Sequence, residues 1–298
     1  MSNPLLTPPP TDLPPIPFED MVRDATEAFP PDLAATNSQM LLALDVDGTL
    51  LTVDGASEII LDTVDRLQDA GVHVVIATGR GLGATLPVLE EIGIHDGWVV
   101  ASNGALIIKI EGGRHEIIHA EYFDPAPIID QVLEVYPGAL IAVEDDTFRY
   151  RVSQEFPPKE LIETWTLDDI EGLRSKHVTK LVVRIPGMDR DVFAEEMAKL
   201  DLSSVTPAVG WTSWMDVNAF NTTKATGLEW LRNELGVPTN GTLSIGDGTN
   251  DMAMLCWAHH SVAMWGAIEE VRACANALTG PVEHDGAGAV MEALLRRL

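Results

Sequence analysis

The stretch Leu41-Leu42-Ala43-Leu44-Asp45-Val46-Asp47-Gly48-Thr49 decides the fold of this chain. Its four leading apolar residues predict a strand that is covered on both faces, as in a parallel sheet. Asp45 and Asp47 are two residues apart, so on an extended backbone their side chains point the same way, and a turn at Gly48 brings both carboxylates toward one pocket. Two such charges repel each other unless a cation lies between them or one of them stays protonated. The alternative interpretation is an Asp-Gly hairpin turn after an ordinary strand.

Composition restricts the class of protein. The 298 residues, 46% of them hydrophobic, are enough for two domains with a sizeable core, and they predict a soluble globular protein. The 46 acidic and 19 basic residues give a formal net charge of -27, and no cluster of Lys and Arg occurs, which argues against nucleic acid or a membrane as a partner. Two cysteines cannot build a disulfide framework, which fits a reducing cytoplasm.

The first 40 residues differ from the rest because prolines are concentrated there and no Lys or Arg precedes Arg23. A secretory signal needs a basic start and an unbroken apolar stretch, so this segment does not match one. We expect residues 1–40 to form a mobile, proline-rich leader, although the apolar residues between Ile16 and Phe29 have a spacing that would let them dock on the body.

Strand and helix patterns alternate after Thr49, which predicts a parallel sheet with helices on its faces. An apolar strand over residues 72–77 ends in Thr78-Gly79-Arg80, and another over residues 98–102 ends in Asn103-Gly104-Ala105. Ligands of such sheets bind outside the carboxyl ends of the strands. The polar endings therefore share the functional edge.

Residues 105–220 interrupt this alternation. Hairpin-like strands mixed with short helices predict an α+β domain inserted between the two halves of the core, residues 41–104 and 221–298. Within it, Glu144-Asp145-Asp146 is interpreted as a solvated turn. The predicted fold class is α/β, with a doubly wound, Rossmann-like parallel core and an inserted α+β cap domain.

The core then resumes with Thr222 or Thr223 as the cap of a helix that carries Lys224 in its first turn. A short strand follows and ends in Gly246-Asp247-Gly248-Thr249-Asn250-Asp251, the second acidic ending at the same edge. Two acidic endings that meet form a site of hard oxygen ligands suited to Mg²⁺. A cation there would also relieve the repulsion between the carboxylates.

The same edge offers groups that hold phosphate. Thr78 supplies a hydroxyl and Lys224 a positive charge, which together can bind phosphoryl oxygens. Such a set suits phosphoryl transfer to a carboxylate. In this chemistry Asp45 is the nucleophile, and Asp47 protonates the leaving oxygen and then activates water.

Four motifs in this order resemble those of the haloacid dehalogenase-like superfamily, namely Asp45-Val46-Asp47-Gly48-Thr49, Thr78-Gly79-Arg80, Lys224 and Gly246-Asp247-Gly248-Thr249-Asn250-Asp251. The Ser102-Asn103-Gly104-Ala105 ending and the long insertion between the second and third motifs are similar to its Cof-type phosphatase branch. The resemblance covers residues 41–298 and leaves the leader outside.

The resemblance implies roles for the acidic motifs. It makes Asp45 the nucleophile and Asp47 the general acid and base. It assigns Mg²⁺ to the carboxylates of Asp45 and Asp247 and to the backbone carbonyl of Asp47. Asn250 and Asp251 complete or orient the metal shell in this scheme.

The resemblance also implies that Thr78, Gly79 and Lys224 bind the phosphoryl group. Arg80 and Asn103 are candidate substrate contacts. For Arg80 the alternative is an ion pair with a nearby acidic group, and for Asn103 it is a side chain that satisfies a turn.

We therefore predict a cytoplasmic, Mg²⁺-dependent phosphatase that hydrolyses a small phosphate monoester, a sugar phosphate or another phosphorylated metabolite, through an aspartyl-phosphate. Its cap would close over the site. One alternative is a phosphosugar mutase of the same superfamily. Another is a non-catalytic phosphate- or metal-binding regulator, which would need neither Asp45 nor Asp47. Neither the ester nor an oligomeric state follows from the sequence.

Overall fold

The structure is a computed structural model and describes residues 13–175 and 177–298. These residues form fourteen strands and ten α-helices. The strands, in chain order, are β1 (Leu41–Leu44), β2 (His73–Ala77), β3 (Gly97–Ala101), β4 (Leu106–Glu111), β5 (Arg114–Ala120), β6 (Leu140–Glu144), β7 (Tyr150–Val152), β8 (Trp165–Leu167), β9 (Lys180–Arg184), β10 (Val205–Val209), β11 (Trp214–Ala219), β12 (Thr242–Gly246), β13 (His260–Ala263) and β14 (Ala277–Leu278). The α-helices are α1 (Phe18–Ala28), α2 (Glu58–Asp69), α3 (Leu82–Glu91), α4 (Ala126–Val135), α5 (Ile170–Arg174), α6 (Arg190–Met197), α7 (Lys224–Leu235), α8 (Met252–Trp257), α9 (Glu269–Arg272) and α10 (Gly286–Arg297).

Eight strands form the core sheet, in the order β14-β13-β12-β1-β2-β3-β4-β5. Strands β14 through β3 pair in parallel, and β4 and β5 add an antiparallel hairpin at one edge. The strand order reverses at β1, because β2 lies on one side of it and β12 on the other. In open α/β sheets the ligand binds outside the carboxyl ends of the strands at such a reversal. The fold therefore predicts that the ligand-binding site lies at the residues that follow β1.

Helices cover both faces of the core sheet. Leu42 and Leu44 of β1 pack in one apolar cluster with residues of α1, α2 and α10, whereas Leu41 and Ala43 pack in another with residues of α7 and α8. Every residue of β1 is fully buried. This burial is expected for a parallel strand between two helical layers, and it confirms the predicted doubly wound core.

Residues 121–219 form a second unit, which we call the insert. Its six strands are ordered β10-β11-β9-β6-β7-β8 and pair antiparallel, except for β7 with β8. Helices α4, α5 and α6 pack on one face of this sheet, where Ile129, Leu173 and Phe193 are fully buried. The opposite face carries Tyr150 and Trp214. The predicted α+β insertion is confirmed.

The predicted start of the insertion, residue 105, needs correction. Strands β4 and β5 belong to the core sheet, because β4 pairs with β3 along its whole length. Leu106, Ile108 and Ile110 point into the apolar cluster of the core. The alternating pattern identified this hairpin, but such a pattern carries no information about which sheet the hairpin joins.

The expectation of a mobile leader is wrong for the part of the leader that the structure describes. Helix α1 packs against α10, and its Met21 and Val22 are buried. Nη1 and Nη2 of Arg296 each donate to one oxygen of the Glu19 carboxylate at 2.8 Å. The docking alternative applies, since one face of α1 is apolar and α10 offers an apolar face to cover it. Residues 1–12 of the predicted leader lie outside the described residues.

In residues 13–175 and 177–298, each helix falls short of the length and apolar character that crossing a membrane requires.

Candidate active site

Four buried charged side chains meet at the carboxyl end of β1. The Lys224 ammonium donates to Asp45 Oδ1 and to Asp251 Oδ1, each at 2.6 Å. One oxygen from each of Asp45, Asp247 and Asp251 lies within 4.8 Å of the others. We call these three carboxylates and Lys224 the carboxylate cluster. Three negative charges around one positive charge leave the cluster with an excess of negative charge.

The start of α7 is built to present Lys224. Thr223 is the N-cap, and its hydroxyl accepts from the backbone N–H of Thr226 at 3.2 Å. The Thr226 hydroxyl in turn accepts from the backbone N–H of Thr223 at 2.9 Å, which completes a capping box. Of the two predicted caps, Thr222 and Thr223, the structure uses Thr223. Lys224 is therefore held at the first helical position, and its side chain is fully buried.

Asp251 organises the loop after β12. Its Oδ2 accepts from the backbone N–H groups of Asp247 and Gly248 at 2.9 and 2.8 Å, while its Oδ1 faces Lys224. Asp251 therefore joins the loop to the start of α7. This arrangement leaves the Asp247 carboxylate pointing toward Asp45.

Asp247 is poorly satisfied by its protein neighbours. Its Oδ1 accepts from the Thr49 hydroxyl at 3.3 Å, but its Oδ2 is buried and has no hydrogen-bond partner among the described residues. A buried carboxylate oxygen without a donor is costly, because its lost hydration is not replaced. Burial, together with the charges of Asp45 and Asp251, raises the pKa of Asp247 well above its usual range.

Asp45 is affected by the same surroundings. Burial and the charge of Asp251 raise the pKa of Asp45 to about 7, against the opposing effect of Lys224. The donors available here are carboxylate oxygens, the ligands that hard divalent cations prefer. The carboxylate cluster, with the Asp247 oxygen that lacks a partner, therefore fits a divalent metal ion.

Asp47 is paired with a cation outside the carboxylate cluster. Arg80 Nε donates to Asp47 Oδ2 at 2.8 Å and Arg80 Nη2 donates to Asp47 Oδ1 at 2.7 Å. Both side chains are buried. Asp45 and Asp47 line one cavity, as predicted, but each carboxylate has its own cation, Lys224 for Asp45 and Arg80 for Asp47. Arg80 therefore forms an ion pair with an acidic group, which is the predicted alternative to a substrate contact.

The loop after β2 brings Thr78 and Gly79 to the same edge. Thr78 is buried, and its hydroxyl accepts from the backbone N–H of Arg80 at 3.1 Å. A Cβ on Gly79 would lie 2.9 Å from Asn103 Oδ1 and 3.0 Å from Asn250 Nδ2. Only glycine lets this loop pass so close to the two amides.

Asn103 connects the loop after β12 to the insert. Its Oδ1 accepts from Asn250 Nδ2 at 3.0 Å, and its Nδ2 donates to Asp216 Oδ2 at 2.9 Å and to Asn218 Oδ1 at 3.2 Å. Asn103 therefore does more than satisfy its own turn. Its amide is engaged by protein groups on both sides, which does not support the predicted substrate contact.

A cavity of about 290 Å³ separates this edge from the insert. Asp45, Asp47 and Asp247 lie on the core side of the cavity. The wall contributed by the insert contains aromatic rings, carboxylates and two cationic side chains. These side chains are Tyr150, Trp211, Trp214, Glu163, Asp191, Asp216, Lys180 and Arg190.

Sequence reasoning found few of these insert residues. The sequence does not tell whether Lys180 and Arg184 face the cleft or the solvent, and the structure separates them. Lys180 lines the cavity and donates to the Gly79 carbonyl at 2.6 Å, whereas Arg184 pairs with Glu160. Strand alternation tells which residues share a face, but it does not tell which face of the insert meets the core.

The predicted solvated turn Glu144-Asp145-Asp146 is wrong for its first two residues. Glu144 is 0% exposed and Asp145 is 1% exposed. Thr147 and Arg151 bind the Asp145 carboxylate within the insert, whereas Glu144 reaches the core. The sequence contains no signal for this, because the partners of Glu144 lie at distant positions of the chain.

Comparison with known proteins agrees with this geometry. The profile of the haloacid dehalogenase-like hydrolase family matches residues 42–291. A 5-amino-6-(5-phospho-D-ribitylamino)uracil phosphatase of Bacillus subtilis (strain 168) is 26% identical over 261 residues, which are 83% of this chain and 94% of that protein. A solved phosphatase structure of this superfamily from Bacteroides thetaiotaomicron is 27% identical, with a TM-score of 0.69 over 86% of this chain and 96% of that one. A subclass IIB sugar phosphatase structure has the same fold, with a TM-score of 0.73 at 22% identity, and the match covers 85% of this chain and 98% of that chain.

The family match spans the core and the insert together, and it includes each of the four motifs found in the sequence. The resemblance inferred from those motifs is confirmed, and so is the prediction of an enzyme. This chain belongs to the haloacid dehalogenase-like hydrolase family.

Proposed function

We propose that this protein is a cytoplasmic, Mg²⁺-dependent phosphatase that hydrolyses a small phosphate monoester through an aspartyl-phosphate on Asp45. The observation that carries the proposal is the carboxylate cluster, whose Asp45 and Asp247 line the cavity. Within the cluster, the buried Lys224 binds Asp45 and Asp251. A site for a neutral ligand would not need this excess of buried negative charge. The cytoplasmic assignment rests on the two free cysteines, Cys256 and Cys274.

The first step uses Asp45 as nucleophile. One of its carboxylate oxygens attacks phosphorus, the bond between phosphorus and the ester oxygen breaks, and Asp47 in its protonated form gives its proton to the departing alcohol. Asp47 is held by two hydrogen bonds from Arg80 in this structure. The proton transfer therefore requires Asp47 to turn from Arg80 toward the leaving oxygen.

The second step returns the enzyme to its starting state. Asp47 takes a proton from a water molecule as the water oxygen attacks phosphorus, and the bond between phosphorus and the Asp45 oxygen breaks. Inorganic phosphate is released. The buried hydroxyl of Thr78, the backbone at Gly79 and the Lys224 ammonium are the groups that would bind the phosphoryl oxygens.

The metal would be held by the carboxylates of Asp45 and Asp247 and by the backbone carbonyl of Asp47. Asn250 and Asp251 would support this shell. When bound, Mg²⁺ neutralises the carboxylates and draws electron density from the phosphoryl group. Asp251 already organises the loop after β12 by accepting hydrogen bonds from the backbone N–H groups of Asp247 and Gly248.

The insert would act as the cap that covers the leaving group and excludes bulk water. Its wall offers the Glu163 and Asp216 carboxylates, which accept hydrogen bonds from hydroxyl or N–H groups, and the indole rings of Trp211 and Trp214. Lys180 is already bound to the Gly79 carbonyl, and Arg190 lies 2.9 Å from an oxygen of Asp191. An acidic wall repels a second anionic group. We infer a substrate whose leaving group is uncharged and rich in hydroxyl or N–H donors, such as a sugar phosphate.

A panel of phosphate monoesters, assayed for free phosphate with Mg²⁺ and again with EDTA, tests this proposal. We expect Mg²⁺-dependent release, with a higher kcat/KM for sugar and polyol monophosphates than for bisphosphates or carboxylated phosphates of similar size. Transfer of the phosphate to an added sugar, without free phosphate, would point to the mutase alternative instead. Release that EDTA does not diminish would contradict the metal assignment.

A further inference from the structure

We propose that Glu144, on the insert, is a positioning residue that holds two segments of the core in register, the loop after β2 and the turn between β3 and β4. This inference rests on the proposed phosphatase function. Glu144 ends β6 and is fully buried, yet its carboxylate does not point into the apolar interior of the insert. It extends to the boundary with the core and accepts hydrogen bonds from both units.

The first contact of Glu144 is with the beginning of α3. The backbone N–H of Leu82 donates to Glu144 Oε1 at 3.1 Å. The N-cap position of α3 is Gly81, which has no side chain to cap the helix, so an insert carboxylate serves in its place. A Cβ on Gly81 would lie 2.5 Å from Glu144 Oε1, so glycine leaves the space that the carboxylate needs. Because Thr78-Gly79-Arg80 directly precedes this helix, Glu144 restrains the phosphate-binding loop.

The second contact of Glu144 is with the turn between β3 and β4. The Ser102 hydroxyl donates to Glu144 Oε2. Ser102 and Asn103 have φ values of 48° and 55°, which residues other than glycine rarely adopt. Such a backbone persists only where its surroundings hold it. The Glu144 contact, together with a hydrogen bond of 2.9 Å from Asn218 Nδ2 to the Ser102 carbonyl, provides that hold.

This turn leads directly to the catalytic residues. Asn103 binds Asn250 of the loop that follows β12, as described above. Gly104 packs so closely on the start of α7 that a Cβ there would lie 2.0 Å from the Thr223 carbonyl oxygen. A displacement of the turn would therefore shift the loop that follows β12 and would also shift Lys224. Through its two contacts, Glu144 couples the position of the insert to both loops.

The charge of Glu144 suits this role. A carboxylate at a helix N-terminus is stabilised by the helix dipole, and hydrogen bonds to a charged acceptor are stronger than neutral ones. Thr179 of the insert donates to the same Oε2 at 2.8 Å. One oxygen of Glu144 is thus shared between a hydroxyl of the core and a hydroxyl of the insert.

The test compares Glu144→Gln with Asp145→Asn as its matched control. Both replace a buried carboxylate by an isosteric amide, but the Asp145 partners Thr147 and Arg151 lie within the insert. Turnover of p-nitrophenyl phosphate in Mg²⁺ gives kcat and KM, and hydrogen exchange of peptides covering residues 78–90 and 100–106 reports on the two loops. We expect Glu144→Gln to lower kcat by about tenfold or more with a smaller change in KM, since misplaced reacting groups mainly slow the chemical step.

In the same variant we expect faster hydrogen exchange in both peptides, whereas Asp145→Asn should resemble the wild type in both measurements. Ser102→Ala removes the hydroxyl donor of the turn and leaves the Leu82 N–H contact in place. It should lower kcat in the same direction, and it decides the question if Glu144→Gln does not fold. Equal kcat and exchange in Glu144→Gln and its control would overturn the positioning role, as would a lower melting temperature with unchanged kcat. If the wild type released no phosphate from any ester, the proposed function would be wrong, and the exchange measurement alone would decide the role of Glu144.

Discussion

The core and the insert each bury a group of charged side chains, and the two groups are built differently. In the insert, Arg184 donates to both carboxylate oxygens of Glu160 at 2.7 and 2.8 Å, and it also binds the Ser213 hydroxyl. One positive charge there meets one negative charge. In the core, the carboxylate cluster sets three carboxylates against Lys224, and one oxygen of Asp247 has no partner among the described residues.

This difference separates structure from function. A buried pair with matched charge and full hydrogen bonding fixes the positions of the elements it joins, and it does not need a ligand. A buried cluster with excess charge is unfavourable by itself, so a protein keeps it where a bound cation or a reacting group makes use of it. The charge balance around a buried carboxylate is thus a better guide to its role than its burial.

The largest expected effect comes from Asp45→Asn in the carboxylate cluster. We expect phosphate release to fall by at least about 10³-fold, because an amide cannot act as the nucleophile. The melting temperature should stay the same or rise, because the substitution removes one carboxylate from a cluster that has three carboxylates and one ammonium group. Phosphate release and thermal unfolding measure the two effects. As a control, Asp146→Asn changes an exposed acidic residue; retained turnover in Asp45→Asn would contradict the covalent mechanism.

A smaller effect is expected from breaking the matched pair in the insert. Arg184→Met leaves the buried Glu160 carboxylate without its cation, and we expect a loss of about 3 kcal/mol in the free energy of unfolding. Urea unfolding measures this loss. The double variant Glu160→Leu/Arg184→Met removes both charges and should recover most of the stability. A double variant as unstable as Arg184→Met would show that the side chains contribute through more than their charges.

The smallest effect concerns His260, a buried side chain whose Nε2 has no hydrogen-bond partner among the described residues. Its ring packs edge-on against Phe29, with centroids 5.5 Å apart. Burial, followed by the charge of His259, lowers the pKa of His260 to about 4. The unfolded chain takes up this proton near pH 6.5, so the contribution of His260 to stability is complete above pH 6.5 and is lost as the pH falls toward 4.

We therefore expect the wild type to lose about 2 kcal/mol more than His260→Leu in the free energy of unfolding between pH 7.5 and pH 5. Urea unfolding at the two pH values measures the difference. His115→Asn, at an exposed histidine, is the control and should retain the pH dependence of the wild type. The same pH dependence in His260→Leu and wild type would mean that His260 is not held neutral by the fold.

The features predicted well from the sequence were those with local causes. The apolar run of β1 predicted its burial between two layers, and the threonines before Lys224 predicted the start of α7. The apolar strands and their polar endings also placed the residues after β1, β2 and β12 at one edge of the sheet. The structure brings these endings together as expected, because parallel strands deliver their carboxyl ends to the same side.

The features missed were those with distant partners. The sequence predicts that Glu144 belongs to a solvated turn, because an acidic triplet between two strands usually forms one. Its partner Ser102 lies 42 residues earlier. The docking of α1 on α10 joins the two ends of the described chain. Pairings of this kind depend on which surfaces meet, and no local pattern contains that information.

The sequence by itself determined the α/β core, the insertion and the residue types at the edge of the sheet, since apolar periodicity, caps and glycines act within a few residues. Only the tertiary structure decided how the charges are shared. It paired Asp47 with Arg80, gathered Asp45, Asp247 and Asp251 around Lys224, and brought Glu144 to the core. The physical reason is that electrostatic and hydrogen-bond partners are chosen by proximity in space, which packing creates after the local elements have formed.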